Sequence, residues 1–180
     1  MARPYPKFTY EDYLLLPEDK RYEIIGGELA LVPSPGFKHQ EILGRLHVVL
    51  RQFVEKKALG KVCISPLDVV LSKINVVQPD LFFISKERFP VITEKNIQGP
   101  PDLVVEILSS DPEKDKIIKR KLYAKFGVKE YWIVDPEEKS IEVMELEEKG
   151  FRTVSIFKSQ DVLASKTFSD LDLNIEEVFA

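Results

Sequence analysis

The 180-residue chain has little of what marks a disulfide-rich, zinc-binding or membrane protein. A single cysteine, Cys63, allows neither an intramolecular disulfide nor a CxxC zinc or redox motif. No run of about 18 apolar residues is long enough to span a bilayer, and the first ten residues lack the apolar stretch of a secretory leader. We therefore expect a cytoplasmic protein with no membrane partner.

A basic excess is also lacking. The 26 Lys and Arg residues are outnumbered by 30 Asp and Glu residues, a net charge of −4, so any nucleic-acid site must be local. What is present is apolar material: 44% of the residues are hydrophobic, enough for a sizeable core. No Pro/Gly/Ser-rich linker divides the chain, so its length predicts a single domain over residues 1–180.

The periodicity of apolar residues predicts a mixed β-sheet with two main helices. Spacings of three and four predict the longest helix at 37–59, and a lysine-rich helix is predicted at 112–126, closed by Gly127. Short helices are predicted at 9–16 and 175–179. Strands are predicted at 21–25, 28–32, 62–65, 67–72, 76–85, 102–108, 130–134, 140–146 and 151–157. The strands at 62–65, 67–72 and 76–85 predict a meander. The strands at 102–108 and 130–134, which flank the second helix, predict a parallel crossover.

Two carboxylates stand where the strand pattern predicts apolar side chains. Asp80 opens a hydrophobic strand, and Glu106 lies inside an almost continuously apolar one. Side chains alternate along a strand, so Asp102, Val104, Glu106 and Leu108 share one face. A buried carboxylate without a partner costs several kcal/mol. The sequence therefore predicts a metal, a Lys or Arg, or a raised pKa at Glu106.

Structural roles are the alternative for both acids. Glu106 can be an ion-pair partner of Lys119 or another basic residue, and Asp80 can cap a turn after Pro79. Two acids on neighbouring strands, without a Cys or His cluster, favour the oxygen-preferring ions Mg²⁺ or Mn²⁺ over zinc.

A Pro-Asp pair at one strand and an acid on the next strand beside a helix resemble the PD-(D/E)xK nuclease superfamily. More closely, the chain resembles the bacterial family of restriction-endonuclease-like proteins called Uma-two. The matching segments run in order: 22–28, Ser34-Pro35, His39-Gln40, 67–69, Pro79-Asp80-Leu81, 101–109, the series Asp115, Lys119 and Tyr123, and 127–136. The resemblance implies an α/β (mixed α+β) fold with a restriction-endonuclease-like core, a mixed β-sheet flanked by helices.

The same resemblance implies a divalent-metal-dependent DNA endonuclease that hydrolyses phosphodiester bonds. Asp80, Glu106 and the backbone carbonyl of Ile107 are the implied ligands of Mg²⁺ or Mn²⁺. Glu23 is implied as a further catalytic acid, with a surface glutamate at a strand edge as the alternative.

One position departs from the superfamily pattern. Leu108 stands where the superfamily usually has its catalytic lysine. The resemblance implies a lysine relocated to the following helix; Lys119 fits best, and Lys121 is the alternative.

DNA contacts are expected from His39 at the start of the long helix and from Lys116, Arg120 and Lys125 on the basic helix. Residues 111–130 carry seven Lys or Arg against four Asp or Glu, whereas residues 135–148 carry seven acids and one lysine. DNA is expected to approach the first segment and avoid the second.

Other functions stay open from the sequence. A nuclease-derived module that binds nucleic acid or assembles, without cleaving, is the main alternative. A glycosidase with a carboxylate pair ranks lower, because it would need an open cleft with sugar-stacking aromatics. Double-strand cleavage needs two sites, which makes a homodimer an expected assembly.

Overall fold

The structure is a computed structural model that describes residues 6–17, 19–109 and 112–180. Residues 1–5, part of the segment in which the sequence predicts no leader, and Asp111, one of the acids counted beside the basic helix, lie outside the described residues. Within those ranges, no helix is both long and apolar enough to cross a membrane.

The described strands form two sheets, and the helices alternate with groups of strands along the chain. The strands are β1 (Tyr22–Ile25), β2 (Glu28–Leu31), β3 (Gly60–Ile64), β4 (Val69–Ser72), β5 (Asn75–Val77), β6 (Leu81–Ser85), β7 (Ile97–Gln98), β8 (Leu103–Ile107), β9 (Glu130–Asp135), β10 (Ser140–Glu147) and β11 (Gly150–Lys158). The helices are α1 (Tyr10–Tyr13), α2 (Phe37–Lys56), α3 (Arg120–Phe126) and α4 (Ile175–Phe179). A 3-10 segment, Lys86–Val91, follows β6, and a π-helical segment, Lys114–Lys119, leads into α3.

The six-stranded sheet, in the order β11-β10-β9-β8-β6-β3, carries most of the core. β8 lies inside it, is buried along its whole length and runs parallel to β9, which confirms the predicted crossover. Leu103, Val105 and Ile107 pack in the same cluster as the apolar face of α2. Val104 and Leu108 pack in a second cluster with α3. Glu106 therefore belongs to the α3 side of β8, because side chains alternate along a strand.

Helix α2 confirms the long amphipathic helix, although it ends at Lys56 rather than near residue 59. Its buried side chains follow the helical period: Ile42, Leu43, Leu46, Leu50 and Val54. The helix ends because Ala58 adopts a positive φ of 52° and the chain turns into β3 at Gly60. A Cβ at Gly60 would lie 2.0 Å from the carbonyl oxygen of Ile84, so only glycine fits there.

The amino-terminal elements agree with the sequence prediction in type and place, although α1 ends at Tyr13 and not at Leu16. Thr9 caps α1 and forms a capping box with Asp12. The β1–β2 hairpin turns at Gly26 and Gly27, whose φ angles of 63° and 87° both lie in the left-handed region.

The predicted meander is wrong. The predicted strand 76–85 is two strands: β5 joins β1 and β4 in the five-stranded sheet, whereas β6 pairs with β3 and β8 in the other. Pro79 lacks the N–H that a continuous ladder would need, and the chain leaves one sheet and enters the other between Gln78 and Asp80. This crossing brings Asp80 to the position just before the first residue of β6.

The second predicted helix is confirmed, with a difference in its first half. Residues 114–119 are π-helical and only residues 120–126 form α3, which Gly127 ends in the left-handed conformation with φ of 81°. The predicted hairpin β10–β11 and the terminal helix α4 are also present.

Candidate active site

A cleft of about 760 Å³ lies between the β2–α2 connection, the carboxyl end of β8 and the π-helical segment. The titratable side chains that line its interior are Glu23, His39, Asp80, Glu106, Lys114, Asp115 and Lys119. The cleft therefore collects every predicted catalytic and metal-binding residue.

Asp80 and Glu106 are brought together by the pairing of β6 with β8. Leu81 pairs with Val105, so Asp80 lies next to Glu106 at the end of the shared ladder. The N–H of Ile107 donates to Oδ2 of Asp80 at 2.8 Å. Nε2 of His39, in the first turn of α2, lies 3.1 Å from the same oxygen. His39 thus contacts the Asp80 carboxylate from the cleft wall.

Glu106 is 2% exposed and has two strong partners. Nζ of Lys119 donates to its Oε1 at 3.0 Å, and the hydroxyl of Tyr123 donates to the same oxygen at 2.6 Å. The ion pair with Lys119, foreseen as the structural alternative, is present. Among the described residues, both hydrogen bonds of this side chain use Oε1 and none uses Oε2.

Lys119 lies at the centre of three carboxylates. Its Nζ is also 3.1 Å from Oε1 of Glu23 and 3.5 Å from Oδ1 of Asp115. Burial alone would lower the pKa of Lys119, but the carboxylates of Glu106, Glu23 and Asp115 outweigh burial and hold this pKa well above its ordinary value. Lys121, by contrast, is exposed and lines a different groove. The geometry therefore favours Lys119 over Lys121 as the active-site lysine.

Glu23 is not a surface residue at a strand edge, since it is 1% exposed. Its Oε1 accepts the N–H of Gln78 at 3.0 Å, and its Oε2 accepts Nζ of Lys114 at 2.6 Å. Burial raises the pKa of Glu23, but the charges of Lys119 and Lys114 outweigh burial and the net shift is downward. Glu23 is therefore an ionised partner of two lysines.

Two members of the cluster were missing from the sequence prediction of the site. In the sequence, Lys114 is one of several lysines of the basic helix, and Asp115 belongs only to the series that carries the family resemblance. The signal that identifies Asp115 is its spacing of four from Lys119, which fits a helical ion pair. Nothing in the local sequence distinguishes Lys114 from the exposed Lys116.

The site has more negative than positive groups. Four carboxylates, from Glu23, Asp80, Glu106 and Asp115, face the ammonium groups of Lys114 and Lys119. Burial is the main cause that raises the pKa of Glu106 to about 8, against the opposing charge of Lys119, and burial likewise raises the pKa of Asp115. The surplus negative charge is thus relieved either by a proton or by an added cation.

The donor set fits a hard divalent cation. Carboxylate and carbonyl oxygens are the ligands that Mg²⁺ and Mn²⁺ prefer, and the surplus negative charge favours their binding. Within the described ranges, no group of three His, Cys, Asp or Glu side chains forms a ready-made cage. Binding would therefore draw on Asp80, Glu106 and the backbone around Ile107.

The expected DNA contacts divide between two surfaces. Lys116 lines the cleft and its Nζ lies 3.8 Å from Oδ2 of Asp135. Arg120 and Lys125 line the adjacent groove between α3 and the β10–β11 turn, where the guanidinium of Arg120 donates to the carbonyl of Phe151 at 2.8 Å. Of these three residues, Lys116 is the one that borders both surfaces.

The start of the acidic segment borders the same cleft. Asp135, Glu137 and Glu138 lie on its rim, and Oε1 of Glu137 is 2.9 Å from Nζ of Lys38. The charge pattern of the sequence predicts that DNA avoids these carboxylates. DNA that enters the cleft would nevertheless pass close to them.

Comparison with known proteins agrees with the fold. The model of the Uma2 family, described as "Putative restriction endonuclease", matches residues 10–176. The chain belongs to the Uma2 family. The match runs past residue 136, where the recognised segments end, through the β10–β11 hairpin and into α4.

The fold of this Uma2 protein is similar to that of a solved structure. It is the crystal structure of "a putative nuclease belonging to DUF820" from Anabaena variabilis ATCC 29413, with a TM-score of 0.79 and 24% sequence identity. The match covers 95% of this chain and 97% of that one. The expected mixed α/β fold is confirmed. No curated protein matches the sequence.

Proposed function

We propose that this Uma2 protein is a divalent-metal-dependent DNA endonuclease that hydrolyses phosphodiester bonds. One observation carries the proposal: three carboxylates contact the buried Lys119 in an open cleft, and the carboxylate of Asp80 beside them gives the site more negative than positive groups. Such a surplus is costly for stability, and functional sites commonly keep arrangements of this kind. The family description of a restriction endonuclease supports the same reaction.

Each group in the cleft has a role in this reaction. Asp80, Glu106 and the carbonyl of Ile107 would hold Mg²⁺ or Mn²⁺. When bound, such an ion neutralises phosphate charge and lowers the pKa of a bound water. Lys119 opposes the rise that burial causes in the pKa of Glu106, and its positive charge would stabilise the negative charge that develops on the phosphate. Glu23 holds Lys119, and His39 orients Asp80.

The surroundings of the site fit a DNA substrate. Lys116 would meet the backbone at the cleft, and Arg120 and Lys125 would meet it along the neighbouring groove. We propose residues 1–180 as one nuclease domain that acts in the cytoplasm, and a homodimer as the assembly that would cut both strands.

A cleavage assay tests the proposal. Supercoiled and linear DNA are incubated with wild-type protein in Mg²⁺, in Mn²⁺ and in EDTA, beside Glu106→Gln and Asp102→Asn. Asp102 is a matched control, because it lies on the chain just before β8 and pairs with Lys129 at 2.7 Å, away from the cleft. We expect metal-dependent cleavage by wild type and Asp102→Asn, and at least a 100-fold loss in Glu106→Gln. Equal cleavage by all three proteins would reject the assigned site.

The non-cleaving module is the competing outcome. The hydrogen bonds of Lys119 and Tyr123 to Glu106 favour it, because they already neutralise part of the carboxylate. DNA binding by wild type without cleavage in either metal would support this alternative and reject the nuclease.

A further inference from the structure

Nζ of Lys119 is buried among carboxylates: it donates a hydrogen bond to Glu106 and forms ion pairs with Glu23 and Asp115. A lysine ammonium has three N–H groups. Glu106, Glu23 and Asp115 each place an oxygen within 3.5 Å of Nζ, at 3.0, 3.1 and 3.5 Å. The side chain is only 7% exposed. The three carboxylates and the burial of the side chain therefore leave little of Nζ open to an incoming phosphate.

Lys114 differs from Lys119 in both respects. Its Nζ contacts Oε2 of Glu23 at 2.6 Å, the one acceptor found for it among the described residues. The side chain is 22% exposed and lines the cleft. Two of its three N–H groups are thus directed away from the contact with Glu23 and within reach of a ligand in the cleft.

The π-helical segment explains how both lysines reach one carboxylate. In an α-helix, residues five apart lie about 140° apart around the axis, so Lys114 and Lys119 would point in different directions. A π-turn closes a bond between residues five apart and brings them onto one side. Both Nζ atoms consequently bind Glu23, one on each carboxylate oxygen.

We propose that Lys114 is the lysine that donates hydrogen bonds to a phosphate of the DNA, and that Lys119 is a positioning residue for the carboxylates. The proposal rests on the function proposed above and names the group that meets the substrate. It assigns Glu23 to hold Lys114 at the cleft wall. No covalent step is involved, because Lys114 would act through hydrogen bonds and charge.

Lys114→Met and Lys114→Gln test this assignment, with Lys56→Met as the matched control. Lys56 is an exposed lysine at the last residue of α2, about 25 Å along the helix from His39, and its loss removes the same charge. Binding of a DNA duplex is measured in EDTA at several salt concentrations, and cleavage in Mg²⁺. Both Lys114 variants are expected to make the slope of log K against log salt less negative by about 0.9, the value for one phosphate contact.

Cleavage provides the second readout. Loss of one donor to the reacting group is expected to lower kcat/KM about 100-fold in Lys114→Met. Lys114→Arg should restore part of this loss because it keeps the charge and several donors. Lys56→Met should match wild type. Lys114→Gln serves where Lys114→Met does not fold, since its amide can still donate to Glu23.

The outcomes separate this inference from the proposed function. Wild type that neither binds nor cleaves DNA rejects both. Wild type that binds and cleaves, with an unchanged salt slope in the Lys114 variants, rejects only the role of Lys114. A lower thermal midpoint with an unchanged slope would show that Lys114 merely holds Glu23, and would also overturn the inference.

Discussion

Tyr123 and Tyr131 are fully buried neighbours whose rings lie 5.2 Å apart, yet their hydroxyls have different partners. Tyr123 donates to the carboxylate of Glu106, whereas Tyr131 donates to the backbone carbonyl of Asp115 at 3.1 Å. A hydrogen bond to a charged group contributes about 1.5–3 kcal/mol, and one between neutral groups about 0.5–1.5 kcal/mol.

Replacement of each tyrosine by phenylalanine should expose this difference. We expect Tyr123→Phe to lower the free energy of unfolding by about 2 kcal/mol and Tyr131→Phe by about 1 kcal/mol. Urea unfolding at pH 8.5, above the pKa of Glu106, measures both in the absence of metal. Equal losses would show that the contact with Glu106 has no charge-assisted character.

Glu106 should give the protein an unusual dependence of stability on pH. Its pKa rises from an ordinary 4.5 to about 8, mainly through burial. Between these values the folded protein keeps a proton that the unfolded chain has lost, so stability falls as pH rises from about 5 to 8. Asp115, whose pKa is also raised, acts in the same direction. The lowered pKa of Asp102 acts only at acidic pH, where its contribution to stability is lost.

Thermal unfolding in EDTA at pH 6 and pH 8 measures this effect. We expect a fall in wild-type Tm of several degrees, since each kcal/mol corresponds to about 2–4 °C in a chain of this size. Glu106→Gln should show a clearly smaller fall, and Asp102→Asn should behave as wild type does. Saturating Mg²⁺ should stabilise wild type more at pH 8 than at pH 6, because the cation replaces the proton. A fall of equal size in all three proteins would assign the effect to other groups.

At the scale of elements, two glycines occupy positions that require different backbone conformations. Gly127 ends α3 with φ of 81°, whereas Gly44 lies exposed in the middle of α2. A Cβ at either position meets no atom within 4 Å, so only backbone conformation matters. Gly127→Ala should therefore destabilise by about 1–2 kcal/mol. Gly44→Ala should stabilise by about 0.5–1 kcal/mol. Denaturant unfolding checks both, and effects of the same sign would contradict the assignment.

Some helices and strands could be predicted from the sequence pattern, and others could not. The helix 37–56, the Gly26-Gly27 hairpin and the strand–helix–strand unit around Glu106 follow from local periodicity and turn residues. The division of segment 76–85 does not, because apolar residues continue through both strands and only Pro79 marks the crossing. The π-turn at 114–119 is likewise absent from the local pattern, since its sequence suits an α-helix.

The distribution of charge over the whole molecule would determine how the proposed DNA substrate approaches the cleft. Glu137, on the acidic rim, pairs with Lys38, and both side chains are largely exposed. Such a pair contributes little to stability, about 0–1 kcal/mol. A carboxylate at the cleft mouth nevertheless repels phosphates and occupies a lysine that would otherwise bind them.

Glu137→Gln should therefore tighten DNA binding several-fold at low salt, with the gain fading as salt rises. Asp170→Asn is the matched control, because Asp170 forms the same kind of exposed pair with Lys57 outside the cleft. Fluorescence anisotropy with a labelled duplex in EDTA measures both variants. A gain of the same size in the control would show that the effect comes from the net charge of the protein and not from the position of Glu137.

The sequence by itself determined the family, the mixed α/β class and the placement of Asp80 and Glu106 on adjacent strands, because strand alternation and ordered motifs are local properties. The tertiary structure decided which groups meet those carboxylates. Glu23 is 83 residues before Glu106 in the chain, and it joins the cluster because β1 pairs with β5, whose chain continues through Pro79 to Asp80 in the other sheet. The π-turn places Lys114 at the cleft. The end of β9 and the β9–β10 connection place Asp135, Glu137 and Glu138 on its rim. Charge balance at a buried site depends on distances in space, and a linear pattern of charges does not contain them.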